Sequence, residues 1–192
     1  ILGFDLDQND FCFGLNIVGV GSGFQGAPFD PLGNRGPAPS NNLHLNNVFC
    51  DATGMYFSGL KTSGMVRFSG KAMDKQASLP RGIHNARPYR DGVLYNDTEA
   101  DRLCLKLPDQ ELSFPVPVYD EAQLTHTDLD DSRIARAGFG RGLCDLGDGL
   151  IATGSSPSTI SVHDIDAVKT RSRVPLTFDI RNAIHGLEVW PF

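Results

Sequence analysis

The chain has 192 residues, 40% hydrophobic and 21% charged, a length and composition that suit one folded domain or two small ones. Its net charge of −6 repels phosphate backbones and no basic run offsets it, so nucleic acid is excluded as an expected partner. The 21 Gly and 12 Pro favour many turns and short strands, and no stretch approaches the roughly 20 apolar residues of a membrane helix, so a soluble all-β protein is expected.

Residues 1–7 (ILGFDLD) alternate apolar and polar side chains, which predicts a strand with Leu2, Phe4 and Leu6 on one face. They resemble residues 160–166 (ISVHDID), expected to be the last strand of a unit. Residues 11–20 (FCFGLNIVGV) are apolar on both faces and predict a second, buried strand. Residues 21–40 are rich in Gly and Pro and read as a long loop over one rim, or a binding lid. GSGFQG within them has the form GxGxxG, but a Pro follows and no helical pattern continues, so no dinucleotide site is expected.

From Asn41 the chain repeats itself. Residues 41–69 (NNLHLNNVFCDATGMYFSGLKTSGMVRFS), 81–108 (RGIHNARPYRDGVLYNDTEADRLCLKLP) and 138–165 (GFGRGLCDLGDGLIATGSSPSTISVHDI) are copies of one unit, and residues 181–192 (RNAIHGLEVWPF) begin a fourth. Each copy has a turn aspartate, Asp51, Asp91 or Asp148, followed by a short apolar return strand; Asp-Gly between such runs is a hairpin signal. Seven residues upstream stand His44, His84 and Arg141, and His185 holds that place in the fourth copy. The intervals of 40, 57 and 44 residues suit β-propeller blades, each a four-stranded antiparallel meander. The long interval holds residues 114–137, with room for a turn or two of helix. Its Asp128, Asp130 and Asp131 read as a solvated acidic loop, because the calcium-loop Gly and closing Glu are missing.

The expected architecture is therefore a single propeller domain over residues 1–192. Residues 1–40 give a blade end and loop, 41–80, 81–137 and 138–180 three blades, and 181–192 the start of another. Three to four blades suit part of a larger ring, a reading also drawn from the non-Met start; the alternative is a small closed ring of four or five blades, with the fourth copy completing the N-terminal sheet. Trp190 and Phe192 need a partner surface, which another copy or the rest of the same propeller would supply.

The HxxxxxxD spacing, the return strands LYND and IATGSS, and the Gly142-Leu143 and Gly186-Leu187 pairs resemble the NHL and gluconolactonase-like propeller superfamily over residues 41–192. That resemblance implies a propeller with a central channel, where some enzymes of the superfamily hold a metal.

His44, His84, Arg141 and His185 share one repeat position and are expected to converge on a channel. Three imidazoles suit one divalent metal, with His44, His84 and His185 as its ligands. The arginine repels a cation and suits a small anion instead, so all four are candidate ligand-binding residues. The expected function is a noncatalytic module binding a small anionic ligand or a protein partner; the alternative is a metal-dependent hydrolase or lyase. Asn85 and Arg87 are candidate supporting groups, while His126 and His163 fall outside the ring, His163 at an expected exposed position. The turn aspartates read as structural. Cys12, Cys50, Cys104 and Cys144 lack metal-ligand spacing and read as buried reduced thiols, or as two disulfides in a secreted protein. No compartment is legible.

Overall fold

The computed structural model describes residues 1–128 and 136–190. The chain is all-β. Among the described residues fifteen strands form four antiparallel sheets in chain order, three of them four-stranded. The first sheet contains β1 (Leu2–Asp5), β2 (Asp10–Val20) and β3 (Gly23–Phe29). The second contains β4 (Leu45–Asp51), β5 (Gly54–Gly59), β6 (Gly64–Phe68) and β7 (Met73–Ser78). The third contains β8 (Ile83–Tyr89), β9 (Gly92–Asp97), β10 (Arg102–Lys106) and β11 (Glu111–Pro115). The fourth contains β12 (Phe139–Gly147), β13 (Leu150–Ser156), β14 (Thr159–Asp164) and β15 (Lys169–Pro175). Among the described residues the only helical piece is one 3-10 turn, Glu121–Gln123, and no helix is long and apolar enough to cross a membrane.

Each of the three four-stranded sheets is a meander in which every strand pairs with the next in sequence. The sheets stack face to face. β8 packs on β4 and β5, β12 packs on β8 and β9, and β3 packs on β7. The third sheet is the middle of its three-sheet stack, and its alternation serves two cores. Val93 and Tyr95 join Tyr56, Met65 and Ile83 on one side. Leu94, Leu103 and Leu105 join Leu143, Ile151 and Ile165 on the other. A strand buried on both faces is apolar at successive positions, which explains the run VLY.

Several expectations are corrected. Residues 21–40 are not one loop, because β3 runs through Gly23–Phe29 and pairs with β2 from Gly14↔Phe29 to Val20↔Gly23. β3 lies at a sheet edge, where Pro28 has one side free of ladder bonds. β2 is not buried throughout. Leu15 is fully buried, but Phe11, Val18 and Val20 are exposed, because the opposite face of that sheet has no layer on it. The strand over residues 160–166 is third in its sheet, not last. β15 follows it, and its Lys169, Arg171 and Arg173 suit a solvated edge. Of the cysteines, Cys104 and Cys144 are buried as expected, but Cys12 and Cys50 are exposed, and all four are free thiols.

The fourth copy forms no strand. Residues 182–190 have no regular secondary structure and lie against β12 and β13. Gly142 N–H donates to Ile184 O at 2.9 Å, and Ile184 N–H donates to Ser155 O at 3.3 Å. Gly142 and Gly154 leave the space that Ile184 fills. A Cβ on Gly154 would overlap Ile184 Cγ2 and stand 2.6 Å from its Cβ. Gly154→Ala is therefore expected to lift this segment. Limited proteolysis should then cleave within residues 177–190 at least several-fold faster than in the parent, with the sheet core intact by circular dichroism. Of the residues whose placement the sequence raised, Asp130, Asp131 and Phe192 lie outside those described.

Candidate functional site

Each of the first strands β4, β8 and β12 carries an irregularity near its start. Pairing shifts between Leu45 and Asn47, between His84 and Arg87, and between Gly140 and Gly142. A bulge leaves one residue outside the ladder and re-aims its neighbours. The candidate residues cluster there. His44 precedes β4 in a left-handed conformation (φ 48°), His84 is second in β8, and Arg141 is the residue skipped in β12.

The turn aspartates that suggested this alignment are not equivalent. Asp51 pairs with Gly54 at the end of its strand, whereas Asp91 and Asp148 sit inside two-residue turns bounded by Tyr89↔Gly92 and Gly147↔Leu150. The repeat therefore slips by one or two residues between copies. The four side chains still lie close enough for His44, Arg141 and His185 all to act electrostatically on His84.

His84 is buried, its ring edge-on to Phe139 at 5.3 Å between centroids. Burial first, then the charges of Arg141, His44 and His185, push its pKa down to about 4, so the ring is neutral at pH 7. Its Nδ1 is buried and meets no hydrogen-bond partner among the described residues. Arg141 stacks over Phe139, with its guanidinium carbon 4.3 Å from the ring centroid. Its Nη1 lies 2.6 Å from His185 Nε2, which accepts the bond as a neutral imidazole. Burial and Arg141 both lower the His185 pKa. Arg136 also lies over Phe139, at 5.6 Å.

The sequence reading missed the role of the asparagines. Asn46 Nδ2 donates to Ile83 O at 2.9 Å and Asn47 Nδ2 to Ala86 O at 2.7 Å, tying the second sheet to the third. Asn96 Nδ2 donates to Arg141 O and Gly142 O, both at 3.2 Å, tying the third to the fourth. Asn85, offered as a supporting group, donates to Arg141 O and, at 3.4 Å, to His185 O. These amides bond backbone carbonyls beside the bulges of β8 and β12. The NN in residues 46–47 was the available signal. Arg87 instead lies over Phe49, 5.4 Å from its centroid.

Among the described residues no three His, Cys, Asp or Glu side chains stand together as a metal-ligand group, and one His185 nitrogen is taken by Arg141. His126 is outside the cluster, its Nδ1 3.3 Å from Asp179 Oδ2. His163 is also outside it, but the expected exposure is corrected: it is fully buried. Its Nε2 and Nδ1 each lie 3.0 Å from a hydroxyl, those of Thr153 and Thr170, so three strands of one sheet meet at this ring. No family model matches the chain, and no curated protein matches it.

Proposed function

We propose that the chain is a noncatalytic β-propeller module that binds a small anion where His44, His84, Arg141 and His185 converge. The stacked four-stranded meanders, with β4, β8 and β12 adjacent, support reading each sheet as a blade and these first strands as the channel wall. The observation that carries the ligand reading is the neighbourhood of Arg141. Its guanidinium is fixed on Phe139, and burial and that guanidinium lower the pKa values of His84 and His185, so the arginine charge sits beside polar ring nitrogens that can donate to an anion. The unpartnered Nδ1 of buried His84 supplies a donor or acceptor without adding charge. A cation is disfavoured at the same place by Arg141.

Calorimetric titration with inorganic phosphate, sulfate and succinate tests this reading. At least one should bind the parent chain, and Arg141→Ala should weaken that binding ten-fold or more. Arg141→Lys should fall between, because the ammonium keeps the charge but loses the planar fork. Equal binding by the parent and Arg141→Ala, or no binding by the parent, overturns the assignment.

A further inference from the structure

A cleft of about 340 Å³ opens beside the His84 cluster, built by connections of the second, third and fourth sheets. A run of hydrogen bonds joins those connections. Leu60 N–H, after β5, donates to His44 O at 3.1 Å, and Gly82 N–H, before β8, donates to Leu60 O at 3.1 Å. Thr98 Oγ1, after β9, donates to Gly82 O, and Arg136 Nη2 donates to Thr98 O. The wall of the cleft is thus tied at one end to the backbone of His44. At the other end it reaches Phe139, the ring on which Arg141 stacks. The guanidinium carbons of Arg136 and Arg141 stand 5.6 and 4.3 Å from that ring's centroid, so no more than about 10 Å separates them.

The charge in this cleft has the opposite sign to that of the whole chain. The chain carries −6, yet Lys61, Arg81 and Arg136 all line the cleft, each from a different connection. A single solvated strand face does not bring such residues together; three converging connections do. Arg136 is compensated by Asp101, at 2.7 Å. Lys61 Nζ donates to the uncharged carbonyl of Asn41 at 2.8 Å and keeps its charge. Arg81 is exposed and has no acidic partner among the described residues. Glu99 opposes the two from the same lining. Two cations against one carboxylate leave one positive charge in excess, and Arg141 on Phe139 adds a second. Leu60 and Phe139 contribute apolar surface to the lining.

We propose that this cleft is a second subsite of the anion site and that the ligand is a small diacid. One carboxylate sits at Arg141, the other at Arg81 and Lys61, and a short methylene spacer passes Phe139. The inference rests on the anion reading of the Arg141 site. Two positive charges match two carboxylates. The apolar lining suits methylenes better than the hydroxyls of a sugar, which would lose hydrogen bonds against it. A volume at the small end of ligand pockets suits a spacer of a few carbons.

The test is calorimetric titration at pH 7.5 and fixed ionic strength with three diacids, succinate, glutarate and adipate. Each is paired with the monoacid of the same carbon number, butyrate, pentanoate or hexanoate. At least one diacid should bind the parent about ten-fold tighter than its monoacid, well beyond the roughly two-fold statistical advantage of having two ends. Arg81→Gln combined with Lys61→Gln, both at exposed positions, should cut that ratio about five-fold. Glu99→Gln should raise it, because a negative charge leaves the lining. Equal binding of diacid and monoacid, or a ratio that the double substitution leaves unmoved, overturns the second subsite while the Arg141 anion site stands. So does binding of sulfate or phosphate with no diacid bound. A parent chain that binds no anion overturns both readings.

Discussion

Lowering the pH from 7.5 to 4.5 is expected to cost this protein several kcal/mol of stability, through histidines rather than carboxylates. His163 is fully buried, and burial, with a smaller contribution from Arg173, pushes its pKa down to about 4. His84 is pushed down to the same value, by burial first and then by Arg141, His44 and His185. In the unfolded chain both titrate near 6.5. Above that pH both states are neutral and nothing is lost. As pH falls from about 6.5 towards 4, the unfolded chain binds protons that the folded chain refuses, so stability drops. Below 4 both states are protonated and the loss stops growing. For His163 the loss is at most about 3 kcal/mol, from the free energy equivalent of the pKa difference. It is smaller for His84, which is less completely buried. The carboxylates act in a separate window. Asp179, held at about 2 chiefly by its bond from Arg181, contributes stability that is lost only as pH falls below the usual carboxylate range. Urea denaturation of the parent and of His163→Leu at pH 7.5, 5.5 and 4.5 isolates the effect. The variant should be weaker at pH 7.5 by about 1–3 kcal/mol, because Thr153 and Thr170 lose their shared partner. It should then lose less than the parent on acidification. Parallel slopes in the two proteins would refute the assignment to His163.

Replacing Asn96 with Leu is expected to have an effect of similar size and a wider reach. Asn96 is fully buried and its amide bridges β9 to the Arg141 and Gly142 carbonyls of the neighbouring sheet. Leucine is close in volume but leaves those carbonyls without that donor, at about 2–4 kcal/mol in all. The backbone at Arg141 also loses one of its two amide donors, Asn85 being the other, so anion affinity should fall with stability. Equilibrium denaturation measures the first effect, and titration at a temperature where the variant stays folded measures the second. A stability loss with unchanged affinity would show that Arg141 is positioned without Asn96.

Much of the strand pattern was legible because the hairpins of the second, third and fourth sheets are short and marked. Asp51 to Gly54, Asp91-Gly92 and Asp148-Gly149 sit between apolar runs, and each turn lies where those residues place it. The edge strands were harder. β15 is basic, and β3 contains Gly and Pro, so neither shows the apolar alternation of a half-buried strand. Their partners define them, and partners are not local information. His163 was misjudged for a related reason. Its neighbours Ile160 and Val162 looked like the buried face, but His163 and Ile151 pair on the side that meets the third sheet. The clustering of His44, His84, Arg141 and His185 came from a repeat alignment that is out of step by one or two residues, and bulges absorb the difference. A sequence repeat counts residues, whereas a bulged strand delivers directions.

The sequence-local meanders also bear on how the molecule forms. Every strand pair within a sheet joins neighbours in the chain, so each sheet closes only short loops and can assemble as soon as its own forty or so residues are available. Long-range order is then a matter of docking finished units, as links are added to a row. The second and third sheets, each with a neighbour on both faces, are the inner links, and disturbance at either terminus reaches them only through an outer sheet. A protein built this way frays from its outer sheets inward, and its polar cluster around His84 draws its rigidity from the inner links.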